Sequence, residues 1–62
     1  MVEMFEPTVS EQIAELKREL AMRLRLYPQW VESGRMAQVT ADRQLARLVA
    51  AVQTLSKIQK AA

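Results

Sequence analysis

The sequence predicts an all-α fold, an antiparallel two-helix hairpin that pairs with a second copy into a four-helix bundle. Three observations point there. The 62 residues are rich in alanine, leucine, arginine, glutamine and glutamate, with one glycine and two prolines, a composition that favours helix. Two long stretches place apolar residues at steps of three and four, the helical period. The single glycine, Gly34, stands between those stretches, where a first helix would end and the chain turn back.

Residues 1–7 read as a flexible tail and residues 8–62 as one helical-hairpin domain. Phe5 has two readings, a hydrophobic staple folded back on the first helix or part of a disordered tail. Thr8-Val9-Ser10-Glu11 matches a capping box, with Thr8 as N-cap and Glu11 three residues on. The first helix is therefore predicted over about 8–33. Its seam residues are Ile13, Leu16, Leu20, Leu24, Tyr27 and Val31, which at about 100° per residue fall on one stripe of the helix surface. Glu19 and Arg23 form an i,i+4 pair in the favourable order.

Pro28 lies inside this pattern. It removes one backbone hydrogen bond and crowds the carbonyl four residues back. The helix could stop near Tyr27 and restart at Pro28, or continue with a kink. The spacing Leu24–Tyr27–Val31 stays in phase across the proline, which favours the kinked, continuous helix, closed by Gly34 in a left-handed conformation. Arg35 to Val39 form the connection. Thr40 is a plausible N-cap for a second helix over about 40–60, although a start near Ala37 is compatible with the pattern. In that helix Leu45, Leu48, Val52 and Leu55 repeat as the seam. The hairpin core is thus predicted to be Ile13, Leu16, Leu20, Leu24, Val31, Leu45, Leu48, Val52 and Leu55, with Tyr27 in phase.

One seam is a small core for a chain of this length, and small domains gain stability from disulfides, metals or a second subunit. The sequence has no cysteine and no histidine, so disulfides, thiolate ligands and imidazole ligands are excluded. A homodimer is the remaining route. A second stripe supports it. Met22, Leu26 and Trp30 recur at i, i+4 and i+8, about 80–160° around the helix from the seam. As an isolated hairpin this stripe would be scattered surface residues, with Trp30 capping the hairpin end. As an interface it would join Arg23 and Tyr27, residue types that dominate protein–protein hot spots. Met22, Arg23, Leu26, Tyr27 and Trp30 are the candidate protein interface.

Catalysis is not expected. Glu11, Glu15 and Glu19 recur at four-residue steps, as a solvated face does, and no nucleophile–base pair, metal-ligand spacing, cofactor motif or glycine-rich phosphate loop is present. Charge is uneven: residues 1–19 carry five glutamates against Lys17 and Arg18, and residues 20–62 carry seven basic residues against Glu32 and Asp42. In the first helix this fits the helix dipole. In the second, Arg43, Arg47 and Lys57 share a face opposite the seam. That face is either solvated or a contact for nucleic-acid phosphates. Neither a signal peptide nor a bilayer-length apolar run is seen. The expectation is a soluble cytoplasmic protein that does not bind membranes.

Glu15-Leu16-Lys17-Arg18-Glu19, the run Tyr27 to Met36, and Ala41-Asp42-Arg43-Gln44-Leu45-Ala46 together resemble a family of small bacteriophage and prophage helical proteins with the pattern ELxRE…YPxWVxxGR…ADRxLA. The likeness spans about residues 13–56 and is most specific in YPxWVxxGR. Where that family's pattern continues with a serine and glutamates as a capping box, Ala37, Val39 and Thr40 stand here. The resemblance implies phage origin, residence in the bacterial host's cytoplasm and action by binding a host or phage protein, such as a regulator or defence factor.

Overall fold

The computed structural model describes residues 6–61 as two packed helices, α1 (Val9–Glu32) and α2 (Gln38–Ala61). Phe5 lies outside the described residues, so neither reading of it is addressed. Each helix has 24 residues, a length of about 36 Å.

The start of α1 follows from its first four residues. Thr8 is extended at φ −71° and ψ 164°. Its hydroxyl accepts the Glu11 N–H at 3.1 Å, and the Glu11 carboxylate accepts the Thr8 N–H at 2.8 Å. Two donors at the helix start, which no turn of helix could satisfy, are thereby paired. The helix then runs through Pro28 to Glu32, as the in-phase spacing predicts. Pro28 offers no N–H to the Leu24 carbonyl, and its ring sits exposed on the helix surface.

The end of α1 is a complete Schellman motif. Gly34 takes φ +83°, a left-handed conformation that glycine adopts without a Cβ penalty. Its N–H donates to the Val31 carbonyl at 3.1 Å, and the Arg35 N–H donates to the Trp30 carbonyl at 2.8 Å. These are the two bonds by which a helix end satisfies its last carbonyls while reversing the chain.

The start of α2 falls at the earlier of the two positions that the sequence left open. The helix begins at Gln38, and its first bond runs from the Ala41 N–H to the Ala37 carbonyl at 3.1 Å. Ala37 therefore holds the N-cap position and Thr40 lies within the first turn. Alanine has no side-chain acceptor for the free N–H groups. The Gln38 side-chain amide donates to the Asp42 carboxylate at 2.9 Å, one turn on, and leaves those backbone groups to solvent. The sequence reading favoured Thr40 because its hydroxyl is a good cap, whereas the tight Schellman reversal brings the chain into helix sooner.

The helices lie antiparallel. At the turn end the Tyr27 hydroxyl donates to the Gln44 side-chain carbonyl at 2.8 Å, and at the open end the Gln59 amide donates to the Ser10 hydroxyl at 3.0 Å. Between them the core is thin. Ile13, Tyr27, Ala41 and Leu48 are the buried apolar residues among those described, and no large side chain is completely enclosed. Leu16, Leu20, Val31, Leu45, Val52 and Leu55 are half-buried along the seam.

Leu24, expected in that core, is 57% exposed. The cause is where α2 lands on the stripe. Ile13 and Tyr27 are the buried residues of α1, and Leu24 lies about 40° to one side of their mean direction. Arg23 occupies the opposite flank. Its guanidinium reaches the Gln44 carbonyl at 3.3 Å, so α2 is drawn toward Arg23 and away from Leu24.

Candidate functional site

The features that could serve function sit on three sides of the hairpin. The first is a cluster at the turn-proximal half of α1. Arg23 Nε donates to the Glu19 carboxylate at 2.9 Å, its second nitrogen reaches the Gln44 carbonyl, and its guanidinium carbon lies 5.9 Å from the Tyr27 ring centre. That distance is within cation–π range. Tyr27 in turn lies 5.7 Å from Trp30, ring centre to ring centre, at a 32° tilt. Such offset pairs add to their burial.

This geometry divides the five residues read as an interface. Tyr27 is only 6% exposed, and Arg23 is half-buried with its donors engaged by Glu19 and α2. Both belong to the hairpin itself. Trp30 and Leu26 are half-buried and Met22 is 40% exposed. These three form an apolar ridge on the flank of α1, with Trp30 fixed at its turn end. Gln44 was not singled out from the sequence, yet its side-chain carbonyl accepts from Tyr27 and its backbone carbonyl from Arg23. A glutamine on the edge of a leucine seam, facing a tyrosine across it, is the signal that could have found it.

The second feature lies on the opposite flank, where a shallow apolar groove runs between the helices. Leu24, Pro28 and Val31 line one side, and Gln38, Ala41 and Leu45 the other. Val49, 38% exposed, extends the groove along α2.

The third is the outer face of α2, where Arg43, Arg47 and Lys57 are all exposed. The ion pairs among the described residues are Arg18–Glu15 and Arg23–Glu19, so these three cations have no acidic partner there. Among the described residues no three acidic side chains gather closely enough to hold a metal ion, and no helix is long and apolar enough to cross a membrane.

Fold and surfaces together define a helical hairpin with apolar surface left open on both flanks. Compared with family models, with curated proteins and with solved structures, the chain matches none of them.

Proposed function

We propose that this chain is a non-enzymatic protein-interaction module of phage or prophage origin that self-associates into a four-helix bundle and binds a host or phage protein through the Met22–Leu26–Trp30 ridge. One observation carries the reading. A hairpin that buries so few side chains keeps apolar residues half-exposed on both flanks, and an unfinished core of this kind is completed by association. The lack of histidine and cysteine supports a binding role, and the likeness of Tyr27–Met36 and Ala41–Ala46 to the phage pattern supports the origin.

Two measurements test it. Light scattering coupled to gel filtration should give twice the 7.1 kDa chain mass, and a monomer at every concentration refutes self-association. Trp30→Ala and Leu26→Glu should abolish retention of the partner from lysogenic or infected cells while helicity by circular dichroism persists. Retention undiminished in both variants refutes the ridge.

A second reading has its own observation, the three exposed cations on α2. Phosphate contacts there predict a gel shift that weakens steeply with salt and is lost in Arg43→Ala/Arg47→Ala. The absence of a shift at low salt removes it.

A further inference from the structure

We propose that the hairpin is one of two folds open to this chain. With Gly34 as the hinge, α1 and α2 join into one continuous helix, and two such chains pair antiparallel, each laying its α1 on the α2 of the other. The partner is a second copy of this chain, and neither flank of the hairpin takes part. The inference goes beyond the flank association proposed above and does not rest on it.

The register of the apolar residues carries it. On α1, Leu20, Leu24, Tyr27 and Val31 follow one another at steps of four, three and four. On α2, Ala41, Leu45, Leu48, Val52 and Leu55 follow at four, three, four and three. Two helices joined by a turn need share no common phase. Here the phase runs straight through the turn. From Val31 a step of three reaches Gly34, four more reach Gln38, and three more reach Ala41. An alternation of three and four, unbroken from Leu20 to Leu55, is the repeat of a single coiled-coil helix.

The turn offers little resistance to straightening. It holds no proline, and Arg35, Met36 and Ala37 are good helix formers. Its backbone bonds need only exchange acceptors. The Gly34 N–H, bonded to the Val31 carbonyl in the hairpin, would take that of Trp30, and the Arg35 N–H, bonded to Trp30, would take that of Val31. Gly34, at φ +83°, is the one residue in the left-handed region among those described, and an added Cβ there meets no atom within 4 Å.

The contacts between the helices are centred on that turn. The Ser10–Gln59 and Tyr27–Gln44 bonds each have their sequence midpoint between Gly34 and Met36. A two-fold axis there lays α1 of one straight chain on α2 of the other in the register that the hairpin already uses, so the same pairs re-form between copies. Exchanging an identical element in this way is a low-cost route to a dimer. The hairpin must open first. With Ile13, Tyr27, Ala41 and Leu48 its only buried apolar residues among those described, little holds it shut.

Energy transfer within single chains tests this. The sequence has no cysteine, so Ser10→Cys/Gln59→Cys takes a donor and an acceptor dye at two positions that meet in the hairpin and lie about 73 Å apart along a continuous helix. Doubly labelled chain is diluted into unlabelled chain, so that transfer reports the two ends of one molecule. After unfolding and slow refolding at micromolar concentration, transfer should be nearly complete. At about 1 mM a dimer without transfer should appear on gel filtration. Gly34→Leu removes the left-handed turn and puts a leucine into the gap in the repeat, and should favour that dimer at least about a hundredfold, with Gly34→Ala favouring it about tenfold. Wild-type chain that keeps full transfer at about 1 mM overturns the exchange. If that chain is a compact dimer, the flank association stands without it, and if it is a monomer, both fall. Gly34→Leu and Gly34→Ala that keep full transfer at the same concentration overturn Gly34 as the hinge.

Discussion

The bond between the Tyr27 hydroxyl and the Gln44 side chain is the main polar tie across the turn half of the hairpin, and its worth can be worked out. At 2.8 Å it is a full-strength bond between half-buried and buried groups. Tyr27→Phe keeps the ring, its contact with Trp30 and the position of Arg23 over its face, and removes only the donor. A neutral bond of this kind contributes about 1 kcal/mol, and an acceptor left dry costs up to about 2 kcal/mol more. Gln44 is only half-buried, so water can reach its carbonyl and the loss should stay near 1 kcal/mol. A domain this small has a total stability of roughly 3–9 kcal/mol, and the change should lower its melting temperature by about 4–8 °C. Gln44→Leu removes the acceptor, and the double variant closes a thermodynamic cycle whose coupling energy should be about 1 kcal/mol. Urea denaturation followed by circular dichroism, at one fixed protein concentration because association adds to stability, provides all four corners. A coupling below about 0.3 kcal/mol would mean that the bond does not hold the turn half together, and that α2 is placed by Arg23 and apolar contact alone.

Five further substitutions probe the helix ends and the proline. Thr8→Ala removes one arm of the capping box and should cost about 1 kcal/mol in thermal or urea denaturation. Gly34→Ala meets no atom within 4 Å of the new methyl group, so its cost of about 1 kcal/mol should come from the left-handed backbone alone, and an unchanged melting temperature would contradict the Schellman geometry. Ala37→Ser places a side-chain acceptor at the N-cap of α2 and should stabilise by about 1 kcal/mol, whereas Thr40→Ala, inside the helix, should change stability by less than about 0.5 kcal/mol. Pro28→Ala gives the Leu24 carbonyl a donor and should raise the melting temperature, by up to about 3 kcal/mol of stability.

Features set by neighbouring residues were the legible ones. The capping box needs only Thr8 and Glu11, and the reversal needs only Gly34, so both read directly from the chain. The continuity of α1 through Pro28 read from the phase of Leu24, Tyr27 and Val31. What did not read was set across space. A stripe of in-phase residues says that a partner helix lies against it but not where along its width, so Leu24 and Arg23 could not be told apart as core and flank until Gln44 placed α2. Ala37 was the less favoured of the two starts that the sequence allowed for α2. A capping position without a capping side chain leaves no trace in composition, and the hydroxyl of Thr40 drew the start of α2 away from it. At the candidate site, spacing identified Trp30, Leu26 and Met22 as a stripe apart from the seam. It could not show that Tyr27 and Arg23, also read as interface, are spent on holding the hairpin closed.

The carbonyl of Trp30 has a consequence beyond ending a helix. It accepts from the Arg35 N–H, from the Met36 N–H at 3.2 Å and from the Ser33 hydroxyl at 3.2 Å. The chain reversal is thus knotted onto the backbone of the residue whose indole heads the apolar ridge and leans on Tyr27. This is also the protein's one tryptophan. Its fluorescence is therefore a built-in gauge of the turn: emission will shift when the reversal loosens, even if both helices persist. If a protein seats on the ridge as proposed, hydrogen exchange at the Arg35 and Met36 amides, both bonded to the Trp30 carbonyl, should slow.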